Sequence, residues 1–373
     1  MIAFVYGTTA ELIKLAPVAE RLDDLGVRYR WWCTGQQLDE LPAAIDALGL
    51  RQPDRWLGRG WGGHSLHGAA EVAGWAARLG TQFARRRREL RAELTSDGCR
   101  PLVVVHGDTM TTVLGALLGR WLGSTVAHVE AGMRSGDWRN PFPEELDRRI
   151  VAHLADLHFA SGPPAVANLS RARGVVLDTG ANTVVDALQL RSMAAGSLPA
   201  AVPERFGLVS LHRSELYASP SALAGVLGEL AGYSQRAGAV PLVFVDHPVT
   251  CARLARLGLD HLLEPVVRIP KQGYATFLAL VRRSEFVVTD SGGLQVEAAE
   301  LGVPCCVHRV TTESAEGLGA NVVVTGLERS ALREFLDAPG RYRRPAAVRA
   351  SSPSDRVVDR LVADGFCRAA ARV

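Results

Sequence analysis

Lysine is nearly absent from this chain. Of 42 basic residues in 373, only Lys14 and Lys271 are lysines, so neither is easily read as background. The six cysteines (33, 99, 251, 305, 306, 367) show no paired spacing, which argues against a metal site and a disulfide framework. Cys305 and Cys306 sit in the apolar run "VPCCV", where buried, reduced thiols are expected. No apolar run approaches the ~18 residues of a membrane span, and "MIAFVYG" is too short for a signal peptide. A cytoplasmic protein is therefore expected. Charge of one sign is scarce as well: the net value is +3, which gives no reason to invoke nucleic acid or a membrane surface. With 47% apolar and 22% charged residues the chain is globular, and its length favours two domains.

Short β-rich runs alternate with helical patterns. "IAFVY" precedes "LIKLAPVAERLDDLG", and "LVVVHGD" precedes "TTVLGALLGRWLG" and then "TVAHVEAG". The alternation restarts with "RFGLVSLHR", "VPLVFVDHP", "SEFVVTDSGG" and "PCCVHRV". This predicts an α/β protein of two Rossmann-like, doubly wound domains facing a cleft. The expected boundaries are 1–167, with a C-terminal helix at 355–373 packing back onto it, and 168–354 as the nucleotide-binding domain. "RRRRELRAEL" at 85–94 reads as a solvated helix face. Gly58, Gly60 and Gly63 match G-x-G-x-x-G but lack a βαβ context, so they are read as a loop.

The segment 286–304, "FVVTDSGGLQVEAAELGVP", carries a strand through Ser291-Gly292-Gly293 into a helix. Free N–H groups at such a turn suit phosphate, and Glu297, one turn on, could accept ribose hydroxyls. Its ordinary alternative is a tight turn followed by a surface acid. Lys14 lies on the first helix among Leu12, Ile13 and Leu15. Asp108 ends a strand, where open α/β sheets place ligand groups, although capping the following helix would also explain it. Glu130 follows the next strand with no helix to cap. His212 and Arg213, in "LHRSE", put imidazole and guanidinium beside the anion turn; His64, His67, His153 and His261 are read as structural or surface residues.

The stretch "NPFPEELDRRIVAHLADLHFA" (140–160) reads as a helix with Pro143 at its first position. Glu144–Arg148 and Glu145–Arg149 are possible i,i+4 pairs. Leu146, Ile150, Leu154 and Leu157 form one stripe, read as the core face; Glu145, Arg149 and Asp156 form a polar one. The line through Glu144 and Arg148 continues into Val151 and Ala155. This predicts a covered, functional Glu144 and an ordinary, solvent-facing Glu145.

At these residues the sequence resembles the UDP-N-acetylglucosamine 2-epimerase family, whose domains resemble the GT-B glycosyltransferase architecture. The matching segments are "GTTAELIKLAP", "VHGDTMTT", "HVEAGMRSGDWRNPFPEELDRR", "NTVVDAL", "LHRSE", "TDSGGLQVEAAELGVP" and "TTESAE", in family order. The resemblance implies that Lys14, Asp108, Glu130, Glu144, Arg148 and His212 belong to the active-site group. Ser291, Gly292, Gly293, Glu297 and Arg213 fall to nucleotide binding. It further implies loss of the nucleotide from C1, an unsaturated, glycal-like intermediate, and re-addition that inverts C2. No cofactor or metal is expected. The expected partner is a nucleotide sugar, a UDP-sugar first, and the expected assembly a homodimer.

The chain departs from the family at several points. Thr9-Ala10 and Ser314-Ala315 stand where the family has Arg-Pro, and Ser214 where it has a second arginine. Gln36-Gln37-Leu38 replaces a regulatory Gln-His-Arg segment, and an extra alanine precedes Asn182. These losses favour, as the alternative reading, a glycosyltransferase on the same scaffold.

Overall fold

The computed structural model describes all residues except 67, 137–141, 191–192, 194–195, 214–215, 217–218, 313 and 369–373, with the side chain of residue 69 also left out. His67, Ser214, part of the 128–149 segment and the end of the expected C-terminal helix thus lie outside the described residues. The chain divides into two compact units, Met1–Ser192 with Ala350–Val373, and Met193–Arg349.

The first unit is built on a parallel sheet of β1 (Ile2–Tyr6), β2 (Tyr29–Cys33), β3 (Arg55–Trp56), β4 (Leu102–His106), β5 (Thr125–Ala131), β6 (Leu157–Ala160) and β7 (Val175–Asp178). Its strand order is β3-β2-β1-β4-β5-β6-β7. The second unit repeats the pattern with β8 (Gly207–Ser210), β9 (Leu242–Asp246), β10 (Val267–Pro270), β11 (Phe286–Thr289), β12 (Cys305–Val307) and β13 (Val322–Val324), in the order β10-β9-β8-β11-β12-β13. Each is the doubly wound order in which the sheet reverses direction beside its first strand. The continuous apolar runs of β1, β4, β8 and β11 follow from this, because central parallel strands are covered on both faces.

The boundary falls later than residue 167. Val175–Asp178 pairs in register with β6, so it is the edge of the first sheet rather than the start of the second unit. The Val184–Ala187 helix and the Pro353–Ala363 helix belong to the first unit as well. Asp186 Oδ2 accepts the Ser354 N–H at 2.8 Å, and Arg21 Nε donates to Asp355 at 2.9 Å, which attaches the C-terminal helix.

Two details set the mouth of the first sheet. Thr8 and Glu11 form a reciprocal cap for the Thr9–Asp24 helix, and Thr109 with Thr112 does so for Met110–Trp121. Gly115 and Gly119 let the second of these helices lie close to the sheet. A Cβ at either would meet a valine methyl of β4 or β5 at 2.8 Å. Both helix starts are thereby fixed at the switch point between β1 and β4.

Candidate active site

Glu130 is the centre of the first cluster. It sits near the end of β5 at φ 64°, where the pairing with β6 shifts register between Val129 and Ala131. A non-glycine residue in the left-handed region costs on the order of 1–3 kcal/mol and persists only where its surroundings hold it. Here Lys14 Nζ and Asn182 Nδ2 each donate to Glu130 Oε2 at 2.5 Å, and His106 Nε2 lies 3.2 Å from the same oxygen. Burial pushes the carboxyl up, but Lys14 and His106 outweigh it and hold Glu130 well below the usual carboxylate range. The carboxylate is thus kept ionised at the mouth of the sheet. Thr183 Oγ1 donates to Lys14 O at 2.7 Å and ties the lysine's helix to the Asn182 turn.

Asp108 is not a helix cap; that position is Thr109. Instead Arg148 Nε and Nη2 both donate to Asp108 Oδ2, at 2.9 and 2.5 Å. The Arg148 side chain is only 10% exposed, so losing Asp108 would strand a largely buried charge.

The acidic helix runs from Glu144 to Leu154, with Pro143 just before it. Its buried face differs from the one its leucines suggest. Leu146 is 38% exposed, whereas Glu145 is 0%, Asp147 2% and Arg148 8%. Glu145 is therefore no ordinary surface acid. It accepts Ser135 N–H at 3.0 Å and Arg149 Nε at 3.1 Å, with Arg148 Nη1 at 3.4 Å. Arg148 pairs with Asp108 and Glu145 rather than with Glu144. Glu144 is half-buried; its Oε2 is enclosed and, among the described residues, has no hydrogen-bond partner. A polar network, not the leucine stripe, faces inward here, and charged residues that bury one another carry no signal in hydropathy periodicity.

In the second unit Asp290 is the clasp. It accepts the His212 N–H at 2.9–3.0 Å and the Arg213 N–H at 2.8 Å, which fixes the loop after β8 against the end of β11. His212 stacks on His247, with ring centroids 4.6 Å apart. Burial and the neighbouring Arg213 and Lys271 charges push His212 down to about 4, so it is neutral at pH 7.

Ser291 caps the Gly292–Glu300 helix, its Oγ accepting the Leu294 N–H at 3.4 Å. A Cβ at Gly293 would meet only Ser291 Oγ, at 3.8 Å, so the turn is open. Glu297 is 7% exposed, which excludes the surface-acid alternative. The Tyr274 hydroxyl donates to its Oε1 at 2.9 Å.

Of the expected site residues, Asp108, Glu130, His212, Arg213 and the Ser291–Gly293 turn lie at or just past strand ends, whereas Lys14, Glu144, Arg148 and Glu297 are carried on helices. In the first unit Lys14 pairs with Glu130 and Arg148 with Asp108; in the second, Asp290 ties His212 and Arg213 to the strand that leads into the Ser291–Gly293 turn. Sequence reasoning missed His106, Asn182, Glu145, Asp147, Asp290, His247 and Tyr274. His106 and Asp290 end the very strands that were read. Asn182 lies in a matched segment, and its contact with Glu130 spans 52 positions. Among the described residues, no three His, Cys, Asp or Glu side chains are grouped so as to hold a metal ion. No described helix is long and apolar enough to cross a membrane.

Two parallel sheets of this order, with charged groups at both switch points, define a two-unit α/β enzyme of GT-B-like architecture. The sequence model of the family described as UDP-N-acetylglucosamine 2-epimerase matches residues 87–339. The UDP-N-acetylglucosamine 2-epimerase of Salmonella typhimurium is 32% identical over 86% of this chain and 84% of its own. The Methanocaldococcus jannaschii UDP-GlcNAc 2-epimerase, solved with UDP-GlcNAc and UDP, superposes with a TM-score of 0.76 at 26% identity, covering 97% of this chain and 99% of that one. The Neisseria meningitidis enzyme bound to UDP-GlcNAc gives 0.78 at 26% identity, with 97% and 99% coverage. The chain belongs to the UDP-N-acetylglucosamine 2-epimerase family.

Proposed function

We propose that this chain is a nucleotide-sugar 2-epimerase that acts on UDP-N-acetylglucosamine. The observation that carries the proposal is Glu130, a carboxylate held ionised at a strained backbone position by Lys14, Asn182 and His106.

The C2–H of the sugar is not acidic enough to be removed directly at neutral pH. Departure of the diphosphate from C1 must first build positive charge on the ring. Carboxylates stabilise that charge and take the C2 proton, and cations and helix N–H groups receive the leaving group. The C1–O bond breaks, the C2–H pair becomes the C1–C2 double bond, and a glycal with free UDP results. In the reverse direction UDP adds to C1 and a proton returns to the opposite face of C2. Two acid–base groups on opposite sides are required. In the first unit Glu130, Asp108 and Glu144 are the candidates, with Lys14 paired to Glu130 and Arg148 to Asp108. In the second, the Ser291–Gly293 turn is assigned to phosphate, Glu297 to ribose and neutral His212 to a hydrogen bond with the leaving group. A homodimer and a cytoplasmic location belong to the same reading.

Incubation with UDP-, GDP- and TDP-sugars, with and without acceptors, tests it. Formation of UDP-N-acetylmannosamine or of the glycal without an acceptor is the expected result. Turnover only when an acceptor is supplied would establish the transferase reading instead.

A further inference from the structure

The acidic helix buries two carboxylate oxygens that, among the described residues, no donor reaches, Glu144 Oε2 and Asp147 Oδ2. They stand three positions apart, so they share a helix face. Asp147 is 2% exposed, and after burial the charges that raise its carboxyl are those of Asp108, from the loop after β4, and Glu144, on its own helix. Among the described residues, the guanidiniums around this helix are engaged with other acids. Arg148 bonds Asp108 and Glu145, Arg149 bonds Glu145, and Arg134, from the segment after β5, lies 3.8 Å from Glu145. Two neighbouring acceptors, both desolvated and both without a donor, form an arrangement that folded proteins avoid. A single proton between them removes both defects.

We propose that Asp147 is a protonated carboxylic acid in the free enzyme on the acid side of neutrality and donates its proton to Glu144 Oε2. Burial, reinforced by the Asp108 and Glu144 charges, pushes its carboxyl up to about 7, in keeping with this arrangement. Resting on the epimerase reading, Asp147 is then a positioning residue. It engages one oxygen of Glu144, leaves the other to face the sugar, and limits the pair to one negative charge next to Asp108.

The test uses D147N, whose amide can make the same hydrogen bond but cannot titrate. A carboxyl raised in the folded state makes that state bind more protons than the unfolded chain above about pH 4. The wild type therefore loses stability relative to D147N as pH rises toward and through about 7. Melting temperatures measured from pH 5 to pH 8.5 should show a difference that grows in favour of D147N up to about pH 7 and then levels off. Infrared spectra of the free enzyme at pH 6 should show a protonated carboxyl band that D147N lacks. In turnover, D147N should stay within a few-fold of wild type and lose the ionisation near neutrality from its pH profile. D147L, which donates nothing, should lose at least about tenfold in kcat at unchanged KM. A melting difference constant across the pH range, or no carboxyl band that depends on residue 147, overturns the proposal. Both readouts need no substrate, so they can fail while epimerisation stands, and hold if it fails.

Discussion

Glu144 and Glu145 are adjacent in sequence and opposite in circumstance. The first has a buried oxygen that no N–H among the described residues reaches; the second is fully enclosed and bonded by Ser135 and two arginines. Glu144→Gln should cut turnover at least ~100-fold with the fold intact, the range usual for an acid–base group. Glu145→Gln should instead lower stability by about 1.5–3 kcal/mol, the scale of charge-assisted hydrogen bonds, seen as a lower denaturant midpoint. Lys14→Met addresses Glu130. A carboxyl held below its ordinary value adds stability that is fully present above the unfolded pKa of about 4.3 and is lost as pH falls through the folded one. Without Lys14 that depression shrinks, so loss of ellipticity on acidification should begin at higher pH than in the wild type. These residues were legible as candidates because strand ends in open α/β sheets carry function. The partners that tune them were not, because a contact such as Glu130–Asn182 leaves no local pattern.

At the scale of elements, the strands and their alternation with helices were readable, since each central strand is an unbroken apolar run. The acidic helix was readable as a helix but not in its orientation. Its wheel has a leucine stripe that should face inward, yet Leu146 is exposed and Glu145, Asp147 and Arg148 are buried. Hydropathy cannot register a charged network that satisfies itself. The Ser-Gly-Gly turn and its helix were anticipated in full, except for the tyrosine that holds Glu297. Glu297→Ala should weaken UDP binding by more than ~1 kcal/mol by calorimetry, while Tyr274→Phe, which removes only one donor to that carboxylate, should cost less. Equal, negligible changes would move the ribose elsewhere.

Over the whole molecule, two units were predictable from length and from the restart of the strand pattern, but their seam was not. Val175–Asp178 is short and half-buried, and only its pairing with β6 assigns it to the first sheet. The lost regulatory arginines also act at this scale. Gln37 Oε1 accepts the Thr9 N–H at 3.2 Å, and Gln36 Oε1 accepts the Thr111 N–H at 3.1 Å and its hydroxyl at 2.8 Å. The residues that replace the Gln-His-Arg segment thus engage backbone donors of two helix starts and bring no cation. The resemblance implies that in activated family members this segment binds a second sugar nucleotide, and each charge-assisted contact to its diphosphate that is missing costs about 1.5–3 kcal/mol. One nucleotide per chain and hyperbolic kinetics are expected; a sigmoidal response abolished by added UDP-N-acetylglucosamine would contradict this.

The central claim is that the C2 proton is removed while UDP departs from C1, and that it returns from solvent-exchanged groups. Running the reaction in deuterium oxide with UDP-N-acetylglucosamine alone, and reading C2 by NMR, tests this most directly. The account predicts UDP-N-acetylmannosamine carrying deuterium at C2, formed without any acceptor and abolished by Glu144→Gln. Product that retains the original C2 proton, or no epimer at all, would contradict it.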